Sequence, residues 1–230
     1  MARDRTGREV RASEKVRPSP EASAGLRSLA RAIAPPRDPA SDECRKLLDA
    51  LRKRCPELLH PDPLKPGEPG PEIPLDPRQT ESLLRAAARA SAGDSVVLWD
   101  DGENRLLVHA AETSVLMEDG IIAVRISVEC DQTRKALVQV AFAVGSAKRP
   151  AGLLATTESR PRGPAAVVDI WGEALIAFAW QAMMRVCSVL SAASGTDLDG
   201  AGLVPLSLTA SRNGLSLRTL ARHEFDRVVR

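Results

Sequence analysis

The chain reads as an α+β protein: a curved antiparallel sheet wrapped around one long buried helix, preceded by a disordered or helical N-terminal arm. Three observations predict this. Residues 95–159 repeatedly alternate apolar and polar side chains, the period of a half-buried strand. Residues 169–193 are apolar on almost every side at helical spacing, the mark of a helix covered by other elements. Thirteen of the 17 prolines lie in the first 77 residues, so long regular elements are barred from the front of the chain and free to form behind it.

Composition supports a packed core. Of 230 residues, 43% are hydrophobic and 27% charged, which excludes wholesale disorder, collagen-like repeats and a disulfide scaffold. The net charge of +2 hides a split: residues 1–60 carry 14 Lys/Arg against 9 Asp/Glu, and the remaining 170 carry 18 against 21. Four well-separated cysteines without a CxxC pair (Cys44, Cys55, Cys130, Cys187) suit free thiols in a reducing compartment. The N-terminus lacks an apolar signal core. The most apolar stretch, 174–184, is far short of the roughly 20 residues a bilayer span needs. Cytoplasmic localisation without membrane contact is the expectation.

Element by element, residues 1–40 form a basic arm with no sustained periodicity, expected to be disordered. A short amphipathic helix follows over 41–58. Ser41 caps it, Cys44, Leu47, Leu48, Leu51 and Cys55 make its apolar stripe, and Pro56 stops it. Residues 59–77, with seven prolines between 60 and 77, read as a polyproline II linker of roughly 55 Å when extended. The α+β domain then spans 78–230. Its first helix runs from Pro77–Arg78 to Ala92 with Leu83, Leu84, Ala87 and Ala88 facing inward and Gly93 as stop. Strands are predicted at 95–99, 105–113, 114–118, 121–130 and 138–144, with an edge strand within 152–159 and a tight turn at Asp119–Gly120. The short connections favour an antiparallel meander. After the long helix, 203–210 and 215–220 form a hairpin through Asn213–Gly214, and the last ten residues form a short helix or tail.

Motifs for chemistry fail on spacing. His223–Glu224 would open an HExxH zinc site, but Arg227 occupies the second histidine position. Asp197-x-Asp199-Gly200 resembles a calcium-loop fragment with its glycine too early and Leu208 at the twelfth position. Gly200-x-Gly202 precedes a strand instead of a helix. No cofactor and no metal site is expected. Two carboxylates, Asp169 and Glu173, one turn apart at the start of the buried helix, are the candidate catalytic residues. One could act as a general base, and the alternative role for such acids is to cap the helix N-terminus. His109 and Glu112, three apart in one strand, point to opposite faces unless a bulge intervenes. The row Glu173, Gln181, Arg185 is the one polar stripe of the long helix.

The order helix, antiparallel strands, buried helix, strands is compatible with hot-dog-like folds and with the small α+β folds of secretion chaperones, and no motif ties the chain to either. Hot-dog thioesterases carry a histidine–glycine stretch entering the central helix, whereas residues 167–174 here read VVDIWGEA. The expected function is therefore non-enzymatic: a protein-binding adaptor, chaperone or assembly component using a tethered N-terminal segment, with Cys44, Leu47, Leu48 and Leu51 as partner-binding residues. Its partner is another protein or a second copy of the chain. Nucleic-acid contact is confined to non-specific attraction by the basic arm, which has no interleaved aromatics for stacking. The rival reading is a hot-dog-like acyl hydrolase or small-ligand-binding domain using Asp169 or Glu173.

Overall fold

The computed structural model describes residue 53, residues 62–146, 148, 155–156 and 160–229. The arm over 1–40 and the 41–58 helix lie outside the described residues, apart from helical, exposed Lys53. Along the chain come β1 (Glu72–Leu75), α1 (Pro77–Ala92), β2 (Val97–Asp100), β3 (Arg105–Glu118), β4 (Ile121–Cys130), β5 (Thr133–Ala143) and β6 (Ala155–Thr156). Then follow α2 (Ala165–Ser194), β7 (Val204–Ser211), β8 (Gly214–Leu220) and α3 (Arg222–Val229). The fold is α+β, with a long helix packed against antiparallel strands. Those strands make two sheets, one of order β2-β3-β4-β5-β6 and one of order β1-β8-β7. The sheets join where Gly145, just past β5, donates to Leu208 O (2.8 Å) and accepts from Ala210 N (3.0 Å).

Local chemistry explains each element. Asp76 caps α1 reciprocally with Gln79: each side chain accepts from the other's backbone amide, at 2.8 and 3.0 Å. Leu83, Leu84, Ala87 and Ala88 are buried as expected, and Gly93 ends the helix at φ 80°, the left-handed cap that glycine adopts without penalty. In β4 the alternation is as read: Ile122, Val124, Ile126 and Val128 face the helices and are buried. The 105–113 and 114–118 strands are one strand, β3, with an irregularity between His109 and Ser114. The 152–159 edge strand is reduced to Ala155–Thr156, paired with β5.

α2 is thirty residues long, starting at Ala165 and ending at Ser194. By length and composition it could cross a membrane, but 67% of its apolar window is buried in the protein. Val167, Leu175, Ala179, Met183, Cys187 and Leu190 are buried in one continuous core with both sheets and α1. Aromatic rings mark the contacts. Trp99 of β2 meets Trp171 and Phe178 of α2 at 6.1 and 5.9 Å, and Phe142 of β5 meets Trp180 at 6.0 Å. Trp180 is only half-buried, yet its indole N–H is shielded without a hydrogen-bond partner among the described residues.

The proline-rich segment departs from expectation. Read as a linker unable to join a sheet, it contributes β1, whose Glu72–Leu75 pairs antiparallel with Leu215–Arg218 of β8. Ile73 and Leu75 are buried, while Glu72 and Pro74 are exposed. Proline survives here because β1 is an edge strand and Pro74 needs no inward N–H. Upstream, Leu64 is fully buried with Leu203 and Ala221, and its amide donates to Thr196 O at 3.0 Å. Gly67 N donates to Glu224 Oε1 of α3 at 3.0 Å. The body therefore includes residues 64–75, upstream of the boundary expected at 78.

Leu64→Ala is accordingly expected to lower unfolding free energy by about 2–5 kcal/mol, the range for emptying a buried leucine site. In a solvated linker the same change would fall within about 0.5 kcal/mol; urea unfolding separates the two. A pH effect follows from the same strap. The Ser216 hydroxyl, and with it the Arg218 guanidinium, holds the Glu72 carboxyl below its usual range. A depressed carboxylate stabilises above its unfolded pKa, and that contribution is lost as pH falls through the folded value. With the side chain half-exposed, solvent screening keeps the contribution below about 1 kcal/mol. Glu72→Gln should lower stability by that small amount at neutral and alkaline pH and leave it unchanged at low pH, which flattens the acid slope of the stability–pH profile.

Candidate functional site

The start of α2 differs from the capping arrangement expected for its acids. Pro164 precedes the helix without a side-chain cap, its carbonyl accepting from Val167 N and Val168 N at 3.0 Å each. No acid lies in the first turn, because the helix begins four residues before Asp169. Asp169 is exposed and pairs with the Arg160 guanidinium. Glu173, a turn further on, is also exposed. The stripe from Glu173 sinks inward: Gln181 and Arg185 are half-buried, and Arg185 Nε is shielded with no hydrogen bond among the described residues.

Near that end of α2 lies a cleft of about 120 Å³ between the β2–β3 turn, the β4–β5 turn and the helix. Asn104 and Arg105 line one side, Cys130 and Asp131 another, and Ile170 and Trp171 the helix side. Neither Asp169 nor Glu173 is part of the lining. The β2–β3 turn is ordered by its own acids. Asp101 Oδ1 accepts from Asn104 N (2.7 Å) and Glu103 N (3.0 Å), and these amides hold its carboxyl below the usual range. At about 120 Å³ the cleft is far smaller than the roughly 300–1,000 Å³ of ordinary ligand pockets.

A second polar cluster sits on the sheet face away from the helices. The β3–β4 register pairs His109 with Ser127 and then Ser114 with Arg125, so residues 110–113 face the single residue 126. This is the bulge that His109 and Glu112 needed to share a face. It is held from two sides, by Ala111 N donating to Ser95 O (3.1 Å) and Arg85 Nε of α1 donating to Thr113 O (3.3 Å). The nearest paired carboxylate to His109 is nevertheless Glu129, at 3.7 Å. Glu112 accepts from Lys135 Nζ at 2.6 Å, and Lys135 above all keeps its carboxyl below the ordinary range. The cluster is a set of lateral ion pairs. Among the described residues, no group of three or more metal-type side chains converges.

The two motif fragments have structural roles. Asp197 is buried, its Oδ1 accepting from Asp199 N (3.1 Å) and Ala201 N (2.9 Å) to fold the α2–β7 loop. Glu224 is buried between Gly67 N and Arg227 Nη2, at 3.0 and 2.8 Å. Cys44, Leu47, Leu48 and Leu51 lie outside the described residues. Comparison with protein-family models, with curated proteins and with solved structures finds no match.

Burial separates the two described cysteines. Cys187 is fully buried, which pushes its thiol up to about 12, whereas Cys130 is half-buried at the cleft. Reaction with a small alkylating reagent at neutral pH should label Cys130 and spare Cys187 until denaturant is added, as read by peptide mass spectrometry.

Proposed function

We propose that this chain is a non-enzymatic protein-binding component, an adaptor, chaperone or assembly factor whose body carries an N-terminal interaction segment. The observation that supports the reading is the strap from Leu64 to Leu75. Leu64 is locked beneath Leu203 and Ala221, Gly67 is hydrogen-bonded to Glu224, and β1 is zipped to β8. In this reading the segment upstream of Leu64 is presented from a fixed point of attachment on the body, which lowers the ordering entropy of offering it to a partner. The amphipathic pattern at 41–55, with Cys44, Leu47, Leu48 and Leu51 on one side, suits insertion of a helix into a partner's apolar groove. The free thiols of Cys130 and Cys187 support a reducing, cytoplasmic setting. The acyl-hydrolase reading draws no support from the exposed positions of Asp169 and Glu173.

Full-length protein carrying Leu47→Asp and Leu51→Asp should bind its host partner at least about tenfold more weakly than the parent, since apolar anchors dominate such contacts. The test is immobilised-protein capture from native extract followed by titration of the captured partner. Unchanged affinity, or affinity that vanishes at moderate salt for parent and variant alike, would move the interaction to another surface or to the basic arm.

A further inference from the structure

The five-stranded sheet has one face under α1 and α2. Its other face carries Leu98, Leu116, Ile121 and Leu137, with Leu98 51% and Leu137 57% exposed. The β4–β5 register sets neighbouring side chains of this outer face in rows: Ile121 beside Ala143, Ala123 beside Ala141, Arg125 beside Gln139 and Ser127 beside Leu137. Alternation places Glu129 of β4 and Lys135 of β5 on the same face, beyond Leu137. Each row sets unlike partners side by side, large with small or charged with polar, apart from the two alanines. Such a surface is complementary to itself after a half-turn about an axis running along the strands between β4 and β5.

We propose that the outer face of this sheet is the interface of a two-fold dimer of this chain. In that arrangement β4 of one copy lies over β5 of the other. Leu137 of one copy lies above the Ser127 position of the other, which its own neighbours already cover, Glu129 opposes Lys135, and Arg125 opposes Gln139 instead of a second arginine. Isologous contact demands this reciprocity. Size is consistent: the 41 residues of the five strands, at about 3.4 Å along and 4.8 Å between strands, cover roughly 670 Å² in projection. Corrugation adds to that, and a standard interface buries about 800 Å² per partner. Charge favours a second copy over a strongly acidic or basic protein. Glu112 is paired with Lys135, Asp100 with Arg105, and His109 lies beside Glu129, so no strong field of one sign remains on the face.

Sedimentation equilibrium on the full chain tests the interface. The parent should be a dimer, and Leu137→Asp should weaken dimerisation at least tenfold with an unchanged circular dichroism spectrum, since Leu137 stands exposed in a single copy. Lys135→Glu should also weaken it by setting acid against Glu129, and the exchange Glu129→Lys with Lys135→Glu should restore it. The Leu47→Asp, Leu51→Asp variant should remain dimeric, so this interface and the N-terminal segment fail separately. A parent monomeric at all concentrations, a dimer indifferent to Leu137→Asp, or a charge exchange that does not rescue overturns the proposal. So does a different protein occupying the face of a monomeric parent.

Discussion

Everything in this fold answers to the need to cover α2. A thirty-residue helix with apolar side chains almost all round cannot satisfy itself against one sheet, because a sheet offers a single face and leaves the rest of the cylinder wet. The five-stranded sheet takes one flank through Trp99 and Phe142. The small sheet takes another through Leu208, Leu215 and Leu217, and α1 adds Leu83, Leu84 and its alanines. The small sheet gains its third strand where β1 meets the β7–β8 hairpin. Covering the middle of the chain therefore draws its two described ends together.

Periodicity made much of this architecture legible. The alternation of β4 and β5, the glycine stop of α1 at Gly93 and the wide apolar arc of α2 are local signals, and they survived into the folded chain because tertiary packing agreed with them. β1 was obscured for the opposite reason. Its EIPL alternation, Ile73 and Leu75 in and Pro74 out, is a strand pattern, but surrounding prolines outweigh four residues when no partner strand is in view. Hairpin β7–β8 supplies that partner about 140 residues later, a distance that composition cannot bridge.

The chemistry-bearing residues followed a similar division. The failed spacing of His223–Glu224 and of Asp197–Asp199 excluded zinc and calcium motifs, but it carried no hint that Glu224 and Asp197 would instead be buried acceptors for backbone amides. Nor could spacing show which side of a strand Glu112 takes. A bulge of residues 110–113 decides that, and the bulge is stabilised by Ser95 and Arg85, outside the strand itself. The cleft beside Trp171 draws on two turns and a helix, and no linear signature joins them. Where three separate elements build a feature, single-chain pattern reading has nothing periodic to detect.

Pro74 also protects the molecule from itself. Sheet β1-β8-β7 ends at β1, and an open strand edge is a template on which stray chains add. Pro71 O, opposite Thr219, faces inward and accepts from its amide at 3.2 Å. The alternation that follows turns the backbone of Glu72 and Pro74 outward. A newcomer strand would meet a carboxylate at one position and a missing donor at the next. The same residue type that disguises β1 as linker thus caps the sheet against edge-to-edge aggregation.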